Sequence, residues 1–114
     1  MTKNVYWVLE FAINPDRFED LKTLMAAQIE ATQTNEVGTL NYEWAISDDQ
    51  RVCHIYERSQ ITHLESFAAN FAERFAEVGK PTRLVVYGTP SPQVKDSLAG
   101  LSPVYMAPFG GFRR

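Results

Sequence analysis

The chain has 114 residues, 45% of them hydrophobic, and a formal net charge of -3. That length fits one domain with a core of modest size, and the acidic balance excludes the basic stripe that marks a nucleic-acid binder. A single cysteine, Cys53, excludes a disulfide within the chain and fits a reducing compartment.

The first residues, MTKNVYWV, lack the apolar core and cleavage site of a signal peptide. No apolar run approaches the ~20 residues of a membrane span. A cytoplasmic protein without membrane contact is the expectation.

Residues 4–13, NVYWVLEFAI, alternate strictly. Val5, Trp7, Leu9, Phe11 and Ile13 share one face, and Tyr6, Val8, Glu10 and Ala12 the other, which predicts a half-buried strand. Asn14 then offers a helix N-cap with Pro15 at the first helical position. Phe18, Leu21, Leu24, Met25, Gln28, Ile29 and Thr32 form the inward stripe of that helix. The helix fades before Gly38.

Residues 39–46 alternate again, with Leu40, Tyr42, Trp44 and Ile46 opposite Thr39, Asn41, Glu43 and Ala45. A polar turn, Ser47-Asp48-Asp49-Gln50, suits a hairpin. The return strand, 51–58, points Val52, His54, Tyr56 and Arg58 one way and Cys53, Ile55 and Glu57 the other. Cys53 reads as a small core residue. Thr62 and Glu65 have capping-box spacing at the start of a second helix, which Gly79 stops and Pro81 keeps from restarting. Residues 82–88 make a fourth strand.

The order strand–helix–strand–strand–helix–strand predicts an α+β, ferredoxin-like fold. Residues 1–90 form a four-stranded antiparallel sheet with both helices on one face. Residues 91–114 form an extension: a short helix opened by Ser91-Pro92, then an apolar tail that packs on its own domain or on a partner. Two helices cover only one side of such a sheet. The other carries Tyr6, Val8, Tyr56 and Tyr87, a large aromatic patch for a monomer surface. A two-fold homodimer covers it.

No metal-ligand spacing, glycine-rich phosphate loop or nucleophile elbow is present. The polar and aromatic strand residues remain. His54 and Tyr56 could exchange protons with a phenolic substrate, with Asn41 beside them. Tyr6, Glu10, Glu43 and Arg58 surround the same group if the strand faces coincide, which depends on register. Glu10 either lines a pocket or pairs with Arg58 or Arg83. Trp44 either stacks on a planar ligand or belongs to the core, as does Trp7. His63, in the first turn of the second helix, either faces solvent or reaches the site.

Two segments carry a family resemblance. Glu36-Val37-Gly38-Thr39-Leu40-Asn41-Tyr42-Glu43 resembles an E-x-G-x-x-x-Y-E motif, and Tyr56-Glu57-Arg58 a Y-E-R motif that leads into a helix. In this order and spacing they resemble the antibiotic biosynthesis monooxygenase domain, whose members include quinol monooxygenases. The tail, Pro103 to Phe112, resembles that of a group of short bacterial members. Phe67-Ala68 stands where many members carry a histidine, and Ser59 where an aromatic residue often follows the Y-E-R motif. The resemblance implies a dimeric α/β barrel. It also implies oxygenation of a small aromatic or quinol substrate with no metal, flavin or haem. In such chemistry the protein deprotonates, orients and desolvates a substrate anion that reacts with oxygen itself. Two further readings stay open. One is a non-catalytic dimer that holds an apolar ligand. The other is a cyclase or isomerase working by acid–base chemistry on the same barrel.

Overall fold

The computed structural model describes residues 5–35, 38–59 and 72–112. The strands are β1 (Val5–Ile13), β2 (Thr39–Ile46), β3 (Val52–Ser59), β4 (Gly79–Tyr87) and β5 (Val104–Met106). The helices are α1 (Phe18–Asn35), α2 (Ala72–Val78) and α3 (Pro92–Leu98), the last followed by a 3-10 turn, Ala99–Leu101. The strands form one sheet in the order β2-β3-β1-β4-β5. The first four are antiparallel to their neighbours, while β5 runs parallel to β4.

The expected four-stranded antiparallel sheet is therefore a five-stranded mixed one. Val104-Tyr105-Met106 is too short to show a period in sequence. It becomes a strand because α3 and the 3-10 turn bring the chain back across the sheet, the kind of long crossover that parallel pairing needs. Ser91 caps α3, its hydroxyl accepting the Val94 N–H at 3.3 Å, and Pro92 takes the first helical position.

Helix α1 starts later than the Asn14-Pro15 pair suggests. Asp16 has φ of 67°, a left-handed backbone that a helix cannot include. Asn14 instead closes a turn, accepting the Arg17 N–H at 3.1 Å, and its side-chain amide donates to the Glu77 carbonyl at 3.4 Å. Strand β4 starts earlier than expected, directly at Gly79, and contains Pro81. The β1–β4 register shifts between Glu10 and Phe11, and Pro81 sits at this irregularity, where a missing N–H does least harm to the ladder.

The core lies on one side of the sheet. Val5, Trp7, Leu9, Phe11, Cys53, Ile55, Leu84 and Val86 face Leu21 and Leu24 of α1, Phe75 and Val78 of α2, and Val94 and Leu98 of α3. The three helices among the described residues thus cover the same face. Burial pushes the Cys53 thiol up to about 11. We predict that a thiol reagent at pH 8 labels Cys53 readily only after denaturation. The raised pKa alone lowers the thiolate fraction about a hundredfold. Labelling of the native protein at the denatured rate would contradict this.

Candidate functional site

The strand register brings seven of the nine residues singled out in the sequence to one face, the one turned away from the helices. One cross-strand row runs Asn41, Arg58, Tyr6, Tyr87, Met106. The next runs Glu43, Tyr56, Val8, Val85, Val104. A third runs Ala45, His54, Glu10, Arg83. Period-two alternation on three paired strands puts these rows on a common surface. Glu10 has Arg83, not Arg58, as its cross-strand arginine.

In the third row His54 and Glu10 are in contact, with Nε2 3.2 Å from Oε2. The other Glu10 oxygen accepts the Thr82 hydroxyl at 2.8 Å. The Thr82 bond, followed by the His54 bond, holds the Glu10 carboxyl below its ordinary range. Glu10 is thus an ionised acceptor, and it favours the His54 tautomer that carries its proton on Nε2. Asn41 donates to Glu43 at 3.4 Å. This surface is open and partly apolar, with Tyr6 37%, Tyr87 41% and Met106 46% exposed.

Trp44 is not with them. It lies on the helix side, packed against the core, with its ring 5.6 Å from that of Phe75 and edge-on to Tyr42 at 6.2 Å. His63 falls outside the described residues.

The helix side holds a recess. A cavity of about 530 Å³ opens between the C-terminal half of α1 and β2, lined by Ile29, Thr32, Gln33, Thr39, Leu40, Asn41 and Tyr42. Its size is that of a small-molecule site. Asn41 is the one candidate that belongs to both places, through its position on the edge strand beside the register shift at Thr39.

Several polar side-chain atoms are buried. Gln28 is 0% exposed, and neither Nε2 nor Oε1 has a hydrogen-bond partner within the chain. The same holds for Thr39 Oγ1 and Trp44 Nε1. Glu57 is also fully buried and accepts the Trp7 indole N–H at 3.2 Å. Polar groups so placed cost stability unless something satisfies them. Gln28 and Thr32 are the residues that reading the sequence for catalytic types passes over. Their signal was present, as two polar residues in the inward stripe of an otherwise apolar helix. Among the described residues no three His, Cys, Asp or Glu side chains converge as a metal site. No helix among them is long and apolar enough to cross a membrane.

No protein-family model matches the chain, and no curated protein matches it in sequence. Solved structures do. MupZ from Pseudomonas fluorescens aligns over 99% of this chain and 96% of its own, with a TM-score of 0.85 and 22% identity. Rv0793 from Mycobacterium tuberculosis aligns over 78% of this chain and 97% of its own, with a TM-score of 0.64 and 23% identity. A Bordetella bronchiseptica protein described as a "putative antibiotic biosynthesis monooxygenase" aligns over 79% and 100%, with a TM-score of 0.60 and 13% identity.

The chain has the fold of these proteins. At such identities the likeness is one of fold. The MupZ alignment is long enough to take in the C-terminal segment with α3 and β5. The other two leave about a fifth of the chain outside them.

Proposed function

We propose that the chain is a monooxygenase that takes a small aromatic or quinol-type substrate into the cavity between α1 and β2 and needs no cofactor. The observation that carries this reading is the cavity itself. Apolar walls from Ile29, Leu40 and Tyr42 stand beside the polar side chains of Thr32, Gln33, Thr39 and Asn41. A planar ligand with oxygen substituents fits that combination. N–H and O–H donors held in place on a helix and a strand stabilise a phenolate better than mobile water does. Several proteins of this fold carry a monooxygenase name, which supports the reaction class. In that reaction a phenol takes up one O₂. One oxygen atom becomes the second carbonyl of a quinone, and the other leaves as water.

Oxygen uptake with a panel of phenols and dihydroxynaphthalenes tests this. The expected result is enzyme-dependent consumption of about one O₂ per phenol oxidised to its quinone. Uptake no faster than in buffer across the whole panel would remove the oxygenase reading.

In this reading the open sheet face is where a second copy packs, as a homodimer, and the two sheets form the barrel. The exposed Tyr6, Tyr87, Val104 and Met106 support that placement, since a patch of this kind is unusual on a monomer.

One observation favours a second reading. The His54–Glu10–Thr82 group is an oriented imidazole beside an ionised carboxylate, with Tyr56 in the next row. With Nε2 donating to Glu10, the Nδ1 of His54 is left as a proton acceptor. That arrangement supports a cyclase or isomerase working inside the barrel without oxygen. Turnover that persists under anaerobic conditions is its mark. Thermal stabilisation by apolar ligands with no product would instead leave a binding module.

A further inference from the structure

We propose that a second recess, at the free edge of β4, binds a small organic carboxylate with an apolar body, and that Lys80 and Arg83 hold its charge. This site does not depend on the α1–β2 cavity.

The recess forms where two segments part. β5 runs beside β4 only from Val85 to Tyr87. Immediately before β5 stands Pro103, which has no N–H to give to the β4 edge. Before that, Ser102 has φ of 50°, a left-handed backbone that turns the chain out of the strand direction. Among the described residues, the outer edge of β4 over residues 80–84 is therefore left without a neighbouring strand. The turn Ala99–Leu101 lies beside it without extending the ladder. Between them is a cavity of about 380 Å³, lined by residues 80–84 of β4, by Leu9 of β1 and by residues 100–102.

Its floor is apolar. Leu9 and Leu84 are 4% and 3% exposed, and Leu101, 38% exposed, adds a side wall. Residues 80–83 are all exposed, although a strand with one face on a core should hide every second residue. This stretch of β4 is thus open to a ligand on both sides of the strand.

Two cations border that floor. Among the described residues, neither Lys80 nor Arg83 is in an ion pair. The Glu10 carboxylate interacts with the charge of Arg83, but it is bound by Thr82 and His54 and does not line the recess. The lining therefore carries two positive charges and no negative one, on a chain whose formal net charge is -3. A local excess of this sign draws in an anion.

The ligand class follows from the lining. A guanidinium offers a carboxylate two parallel N–H donors, and an ammonium adds a point charge. A free strand edge adds backbone N–H groups. A bare inorganic anion would leave the leucine floor facing water, so the ligand needs a hydrocarbon part as well. The volume suits a small molecule.

3-Phenylpropanoate tests the proposal, with 3-phenylpropanamide as its neutral match. Binding of each to the full chain is measured by calorimetry at low salt, with melting temperatures in parallel. The carboxylate should bind about tenfold more tightly than the amide, and added salt should shrink the difference. Lys80→Gln and Arg83→Gln should each weaken carboxylate binding and leave amide binding unchanged. The double variant should lose the preference. Both side chains are exposed, so these variants should melt as the native protein does. Lys22→Gln removes an exposed cation of α1 and should change neither affinity.

Equal affinity for the two compounds, or binding of neither, would overturn the proposal. So would a double variant that keeps the native preference, since the carboxylate would then be held elsewhere. An effect of Lys22→Gln as large as those at Lys80 and Arg83 would also overturn it, by showing that only overall charge matters. None of these results bears on the α1–β2 cavity, which is tested by oxygen uptake.

Discussion

Phe11→Ala is expected to destabilise the protein by about 3–5 kcal/mol. Phe11 is fully buried, and its ring meets that of Phe75 edge-on at 5.4 Å. It lies in the central strand, opposite Cys53 on β3 and Pro81 on β4. Removing the ring leaves a void bounded by two neighbouring strands and α2, none of which can close in without breaking the sheet ladder. The loss includes the transfer energy of the ring, an added cavity cost and the aromatic pair. Against a total stability of about 5–15 kcal/mol, a change of this size leaves a marginal protein. Urea denaturation checks it. The midpoint should fall with the slope unchanged, and a loss below about 1 kcal/mol would mean that the packing at Phe11 is looser than described.

Gly79→Ala is expected to cost about 1–3 kcal/mol, through a different cause. A Cβ at Gly79 would run into the Ala12 carbonyl oxygen and the Phe11 ring. The first is backbone in the central strand, so relief requires β1 and β4 to move apart. Gly79 is thus needed for close approach, at the point where α2 ends and β4 begins without a loop. The two substitutions should also be coupled. In the Phe11→Ala background the ring is gone and only the carbonyl clash remains, so Gly79→Ala should cost less there. A double-mutant cycle measures the difference. Strict additivity would show that Gly79 does not press on Phe11.

The main lines of this fold are legible in the sequence wherever one period dominates. Alternation in residues 4–13 marks β1 and its buried face, and the stripe from Phe18 to Thr32 marks the inward side of α1. Element ends are less legible because they depend on distant contacts. Asn14 looks like a helix cap, yet its amide is used to reach Glu77. Pro81 looks like a barrier, yet it fits a strand at a register shift. β5 has no signature of its own, since its pairing partner in β4 and the crossover through α3 create it.

The candidate residues divide in the same way. Strand parity alone places His54, Tyr56, Asn41, Tyr6, Glu10, Glu43 and Arg58 on common faces, and pairing then merges those faces into one. Trp44 separates from them by that same parity. The cavity was not readable, because it arises from the distance between α1 and an edge strand. Its polar lining was readable in part. Thr32 interrupts an apolar stripe, and a polar residue at a core position requires either a partner or a purpose.

The two faces of the sheet compete to be the ligand site, and one measurement separates them. A naphthol is titrated into the ¹⁵N-labelled protein, and shifts are followed at side-chain N–H groups. A ligand between α1 and β2 should move the Gln33 side-chain amide resonances and leave the His54 ring unchanged. Shifts confined to His54 and its neighbours on the open face, with Gln33 unmoved, would contradict that placement.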